Sequence, residues 1–207
     1  SLENIPIISY LVLRGRCKQC KKHISLRYPF VEAVTALMSG LVAWHFGFSL
    51  LALAALIFVW ALIVLAVIDL DTQLLPDDIT LPLLWLGILI NLNNGFTDIH
   101  GAVIGAVVGY LSLWSTYWCF KLITGKEGMG YGDFKLLAAI GAWLGWGMLP
   151  IVIVFSSLMG AVVGIGLIMS ARHNKNMPIP FGPYLVSGAL IALFVGNDIN
   201  QLYLSLF

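Results

Sequence analysis

The chain has 207 residues, of which 60% are hydrophobic and only 10% charged, with a formal net charge of +1. Soluble domains carry about 25% charged residues, so this composition excludes a water-soluble globule. The small net charge carries no signature of an anionic partner, and none of nucleic acid is expected.

In chain order, the first 28 residues are polar and basic. The opening, without Met, is read as that of a processed or trimmed product, and it has no signal-peptide pattern. Cys17 and Cys20 form a CxxC flanked by Arg14, Arg16, Lys18, Lys21 and Lys22, a pattern for metal binding or redox chemistry in a cytosolic setting. His23 is a weaker third ligand, better read as a solvated loop residue. Cys119, in an aromatic stretch, is expected to be a small buried hydrophobe.

Seven apolar segments follow, at about 30–48, 50–68, 79–92, 99–121, 134–147, 149–170 and 180–196. They are too long and too poor in charge for surface helices or alternating strands, so the expected fold is an all-α polytopic membrane protein with about seven spans. The second, fourth and sixth cross a bilayer easily. The third, fifth and seventh are short and interrupted, by Pro82, by Gly141 and Gly145, or by Pro180 and Pro183. Such interruptions are tolerated where a span lines a protein cavity, and they point toward the site. The repeats Gly101-x-x-x-Gly105-x-x-x-Gly109 and Gly160-x-x-x-Gly164 have the spacing of close helix contacts, read as packing within a monomer. Trp44, Trp114, Trp118 and Trp146 are read as interfacial anchors or packing.

Charge sets the orientation. Arg14, Arg16, Lys18, Lys21, Lys22 and Arg27 precede the first segment; Lys121, Lys126 and Lys135 bracket the loop between the fourth and fifth. Arg172 and Lys175 lie between the sixth and seventh. With seven spans all eleven basic residues fall on one side, the cytoplasm by the positive-inside rule, and the C-terminus falls outside.

The same count puts Asp69 and Asp133 at the cytoplasmic ends of two helices. A carboxylate at a membrane boundary is costly to keep charged and is a functional candidate. Two close carboxyls share a proton, so one can activate water while the other protonates a leaving amine. Asp69 ends a helix and Asp133 begins one, so the helix dipole assigns Asp133 as the base and Asp69 as the acid. Taken singly, Asp133 reads as an N-cap, and Asp69, Asp71, Asp77 and Asp78 as a solvated acidic loop. Gly130 and Gly132, read as permitting positive φ and close approach of an extended peptide, tip the balance toward catalysis. Asp71, Asp78 and Asp98 are read as structural or solvent-facing.

Asp69, then Pro76-Asp77, then Gly130-x-Gly132-Asp133-x-Lys135 resembles the bacterial type IV prepilin peptidases, which are GxGD-type intramembrane aspartyl proteases. Arg14-Gly15-Arg16-Cys17-x-x-Cys20 with Ile24-Ser25-x-Arg27-Tyr28-Pro29-x-x-Glu32 is similar to the second half of that family's cytoplasmic domain. Pro180-Phe181-Gly182-Pro183-Tyr184 is similar to its segment before the last span. The resemblance implies residues 1–28 as the remainder of a zinc-ribbon-like cytoplasmic domain and 29–207 as the transmembrane peptidase domain. It implies Asp69 and Asp133 as the catalytic pair, with Gly130, Gly132, Lys135 and Asp77 in support. It also implies a location in the inner membrane, prepilins or type II secretion pseudopilins as partners, and S-adenosylmethionine if N-methylation of the new terminus is retained. Family members usually pair two CxxC motifs in a four-cysteine zinc site and carry one more N-terminal span. With only Cys17 and Cys20 present, zinc would have an incomplete site, as in a truncated chain. The competing reading from the residues is an ion- or proton-coupled transporter, which expects acids in mid-span and repeat-related positions; Asp69 and Asp133 sit at the rim. A membrane scaffold leaves the glycines unexplained.

Overall fold

In lipid every backbone polar group must be satisfied within the chain, so long apolar runs fold as helices and end where glycine, proline or charge interrupts them. A computed structural model describes residues 8–169 and 180–205. Its helices are α1 (Ile8–Val12), α2 (Arg27–Phe46), α3 (Leu50–Thr72), α4 (Asp77–Asn91), α5 (Ile99–Thr124), α6 (Tyr131–Leu144), α7 (Leu149–Met169) and α8 (Gly182–Ser205), with a single 3₁₀ turn at Trp146–Met148. Among the described residues there is no strand, only an isolated antiparallel bridge between Arg16 and His23. A helix occupies each of the seven apolar segments. Five are long and apolar enough to cross a membrane: α2, α3, α5, α7 with its preceding turn, and α8. Arg172 and Lys175, and the last residue of the sixth segment, lie outside the described residues.

The contacts divide the chain into two compact units at Trp60/Ala61, within α3. In the first, Tyr10 Oη donates to the Ile24 carbonyl at 3.4 Å. The CxxC turn closes through Cys17 N–H to the Lys22 carbonyl at 2.9 Å, and Trp60 Nε1–H donates to Ser39 Oγ at 2.9 Å.

The second unit is built around α6. At 14 residues and ~1.5 Å rise per residue, α6 is shorter than the ~30 Å hydrocarbon core. It is not a lipid-facing element: from Asp133 to Leu144 every residue is buried except Lys135, which is half-buried. Glycines bring α5 against it. Gly105 and Gly141 each face the other's carbonyl so closely that neither position admits a Cβ, and a Cβ at Gly109 would lie 2.6 Å from the Leu137 carbonyl oxygen. The α5 stripe is therefore a contact within the chain. Likewise Gly188 on α8 closes on the Val152 carbonyl of α7, where a Cβ would lie 2.6 Å away.

Asn91, fully buried at the end of α4, secures the other end of α6. Its Nδ2 donates to the carbonyls of Ala142 and Trp143 at 2.8 and 3.0 Å. Its Oδ1 accepts from the N–H groups of Phe96 and Thr97 at 2.8 and 3.1 Å. The last carbonyls of a helix have no intrahelical partner, and Asn91 supplies one while pinning the α4–α5 turn. Trp143 adds a buried bond from Nε1–H to the Leu83 carbonyl at 2.7 Å.

Two smaller expectations meet the structure differently. Cys119, expected to be buried, is exposed on the outer face of α5, where a lipid-facing surface accepts a small apolar side chain. The four tryptophans are all exposed, as anchors or packing on an outer surface would be.

Candidate active site

Asp69 lies in the last turn of α3 and is only 5% exposed. Its Oδ2 accepts a buried hydrogen bond from the Gly182 N–H at 2.9 Å. The approach is tight: a Cβ at Gly182 would lie 2.7 Å from that oxygen and 3.1 Å from the carboxyl carbon. Glycine at the head of α8 is thus what lets its backbone reach the carboxylate.

Asp133 is 7% exposed, in the first turn of α6. The N-cap of that helix is Gly130, at φ −83° and ψ 150°, so Asp133 sits three positions inside the helix and is not the N-cap. Asp69 and Asp133 lie within electrostatic range of each other, although one ends α3 and the other begins α6.

The glycines before Asp133 act differently from the sequence expectation. Neither is among the positive-φ residues. Gly132 is needed for close approach, but of the chain itself: a Cβ there would lie 2.8 Å from Leu75 Cβ, in the α3–α4 connection. At Gly130 the nearest atom to a Cβ would be Asp133 Oδ2 at 3.8 Å, so this segment runs beside the carboxylate and leaves room there.

Lys135 and Asp77 meet directly, Nζ lying 2.7 Å from both Asp77 oxygens. The pair ties the start of α4 to the first turns of α6, across the connection that carries Leu75. It is partly solvated, with 30% and 51% of the two side chains exposed. Asp71 and Asp78 are exposed, and Asp98 caps α5 by accepting from Gly101 N–H at 3.2 Å.

The 125–130 loop is tethered from α5. Lys121 Nζ donates to Glu127 Oε1 at 2.8 Å and to Tyr117 Oη at 3.1 Å. That lysine holds the Glu127 carboxyl below the usual carboxylate range.

In the first unit, the N–H groups of Cys20 and Gln19 hold the Cys17 thiol below its ordinary range. A closed zinc site needs four ligands. Among the described residues no group of three or more His, Cys, Asp or Glu is placed to hold a metal, and His23 does not complete one with the two cysteines. The residues present do not fit a closed zinc site.

Neither the role of Gly182 nor that of Leu75 is stated by the motifs in which they stand. The available signal for Gly182 was a glycine between prolines at the head of a span, where a backbone N–H is free to donate outward.

An all-α, multi-pass membrane protein with two buried carboxyls at helix ends fits either a membrane-embedded enzyme or a transporter, and comparison with known proteins decides between them. Residues 56–165 match the model of the type IV leader peptidase family, and residues 1–46 match the bacterial peptidase A24 N-terminal domain. The chain is 59% identical over 207 residues to a prepilin leader peptidase/N-methyltransferase of Aeromonas hydrophila, covering 100% of this chain and 71% of that protein. It is 55% identical over 202 residues to the protein of that name from Pseudomonas aeruginosa, covering 98% and 70%. With the one from Legionella pneumophila it shares 48% over 202 residues, again covering 98% and 70%. No solved structure matches. The chain belongs to the type IV leader peptidase family and is a peptidase.

Proposed function

We propose that this chain is an aspartic endopeptidase that removes the basic leader from type IV prepilins or type II secretion pseudopilins at the cytoplasmic face of the bacterial inner membrane. The observation that supports the reading is the burial of two carboxyls at helix ends, Asp69 and Asp133, in a chain of this family. One carboxylate takes a proton from water as the water oxygen bonds to the scissile carbonyl carbon. The other carboxyl gives its proton to the amide nitrogen as the C–N bond breaks, leaving a carboxylate on the leader and an amine on the mature protein.

The helix ends assign the base to Asp133 and the acid to Asp69. The Gly182 N–H, at the head of α8, favours the charged form of the carboxyl it donates to and so opposes that assignment; an infrared titration decides where the proton rests. A shared proton found on Asp133 would overturn the assignment without touching the dyad. Residues 1–28 form the cytoplasmic portion and 29–207 the peptidase domain, with the C-terminus in the periplasm. Asp71 and Asp78, both exposed, would help hold the basic residues of the leader, as surface pairs that contribute little.

The test is cleavage of a purified prepilin by wild type beside Asp69→Asn and Asp133→Asn. Each near-isosteric change is expected to abolish cleavage while leaving the helical fold intact. Normal cleavage by both variants would end the dyad reading, and a transporter or scaffold would then be the better account.

A second activity is favoured by the match of residues 1–46 to the A24 N-terminal domain. The relatives' names pair the peptidase with an N-methyltransferase. S-adenosylmethionine would supply the methyl group. Methylation of the mature N-terminus by this chain, read by mass spectrometry, tests it separately from cleavage.

A further inference from the structure

Lys121, in the last turn of α5, takes no part in the proposed hydrolysis, yet it reaches the segment that carries Asp133 by two routes. The first runs through the loop. Its Nζ lies 2.8 Å from Glu127 Oε1, and Glu127 stands three residues before Gly130, whose backbone passes beside Asp133 Oδ2. The second runs through Tyr117, whose Oη accepts from the same Nζ at 3.1 Å. The buried Tyr117 ring packs on Tyr131 and Phe134 at centroid separations of 5.4 and 5.7 Å, and those two residues flank Gly132-Asp133 in the chain. The lysine charge also lies over the rings of Tyr117 and Trp118, 5.4 and 5.5 Å from their centroids, which steadies it where it is. Two uncharged contacts hold the loop to α5 on either side of Glu127. Gly125 ends the helix in the left-handed region, its N–H donating to the Lys121 carbonyl at 2.8 Å. Gly128 meets the Phe120 ring, where a Cβ would lie 2.9 Å from two ring carbons.

We propose that Lys121 is a positioning residue for the hydrolysis: acting through Glu127 and Tyr117, it fixes the start of α6 and so the place of the Asp133 carboxyl. The inference rests on the peptidase reading above and deepens it. A stabilising role alone would show itself differently. The ion pair is partly solvated, with 34% and 71% of the two side chains exposed, so it contributes little to the stability of the fold. What it restrains is the 125–130 connection, which has no helix of its own and whose last residue runs beside a reacting group. A misplacement of roughly 1 Å in such a group costs about 10² in rate. Loss of the tether therefore acts on turnover, and leaves folding and the binding of the precursor nearly as they were.

The experiment measures cleavage of a purified prepilin by the full chain, with kcat, KM and the thermal midpoint recorded for each variant. Lys121→Met keeps an apolar stem and loses the charge; it is expected to lower kcat by about tenfold or more, with KM and midpoint close to wild type. Lys121→Arg keeps a charged donor for both partners and is expected to recover most of that kcat. Glu127→Gln alters an exposed loop position and is expected to lower kcat by less, because the Tyr117 route remains. The double variant is expected to match Lys121→Met alone instead of multiplying the two losses. Lys126→Gln, which removes the neighbouring exposed charge, is expected to keep wild-type kcat. Wild-type kcat in both Lys121→Met and Glu127→Gln would overturn the proposal. So would an equal loss in Lys126→Gln, a change confined to KM, or a loss of kcat that follows the midpoint and is not recovered by Lys121→Arg. The peptidase reading is judged separately, by wild-type cleavage and its loss in Asp69→Asn. It stands if the Lys121 variants cleave normally, whereas no cleavage by wild type would overturn both.

Discussion

Gly182 does for Asp69 what a larger residue cannot. Its missing Cβ allows a backbone N–H to reach the carboxyl at 2.9 Å, whereas a methyl group there would stand 2.7 Å from Oδ2. Something must shift, and the nearest atoms are those of the proposed catalytic group. Gly182→Ala is therefore expected to lower kcat by about 10², the scale of a displacement of roughly 1 Å in a reacting group, with KM and helix content little changed. Wild-type kcat in that variant would show that Gly182 does not set the position of Asp69. The Lys135–Asp77 pair predicts the opposite balance. Because it is partly solvated, Lys135→Met is expected to change stability by no more than about 1 kcal/mol in reversible denaturation. Its effect on cleavage then reports how far the α3–α4 connection sets the spacing of the carboxyls. At this scale the aspartates were legible because a charge at the edge of an apolar run stands out energetically. Gly182 was legible only in part: the prolines around it mark the head of a span, but its bond to Asp69 spans 113 positions and nothing local names that acceptor. Gly132 was legible as necessary but not for the right cause: sequence shows that a side chain is absent, not that Leu75 fills the space.

α6 carries the load of organising the site, and it does so as a short helix enclosed by other helices. The interruptions by Gly141 and Gly145 announced a helix that does not face lipid, and its burial agrees with that reading. Gly145 ends it at φ +84°, where a side chain would be strained and would also meet Thr97 at 2.8 Å. What periodicity could not give was Asn91. A polar residue at the end of an apolar run reads as the start of a loop, yet here it is wholly buried with four hydrogen bonds. Asn91→Leu keeps similar bulk but leaves the Ala142 and Trp143 carbonyls and the Phe96 and Thr97 N–H groups without that partner. A buried group that loses its bond costs about 1–3 kcal/mol, so the variant is expected to lose at least that much for the buried Ala142 carbonyl alone, measured by denaturation in detergent. A loss under about 1 kcal/mol would mean that the turn and the end of α6 hold without the latch.

For the whole molecule, orientation decides whether the carboxyls can meet a leader at all. α5 contains 26 residues, which at ~1.5 Å each exceeds the ~30 Å core, so if it crosses, its two ends face opposite compartments. Asn93 lies before it and Lys126 just after, both exposed. The Lys126 end leads through the tethered 125–130 loop into Asp133, and so into the site. By the positive-inside rule that end is expected in the cytoplasm. Starting from a variant with Cys17, Cys20 and Cys119 replaced by Ser, Asn93→Cys is expected to react with a membrane-impermeant thiol reagent applied outside intact spheroplasts. Lys126→Cys is expected to react only after the membrane is opened. The reverse pattern would put Asp133 on the periplasmic face, away from a cytoplasmic leader, and the proposed substrate geometry would fail even with both aspartates essential. The expected pattern instead places the carboxyls where the basic leader and the apolar segment of a precursor join. There the water needed for hydrolysis is at hand.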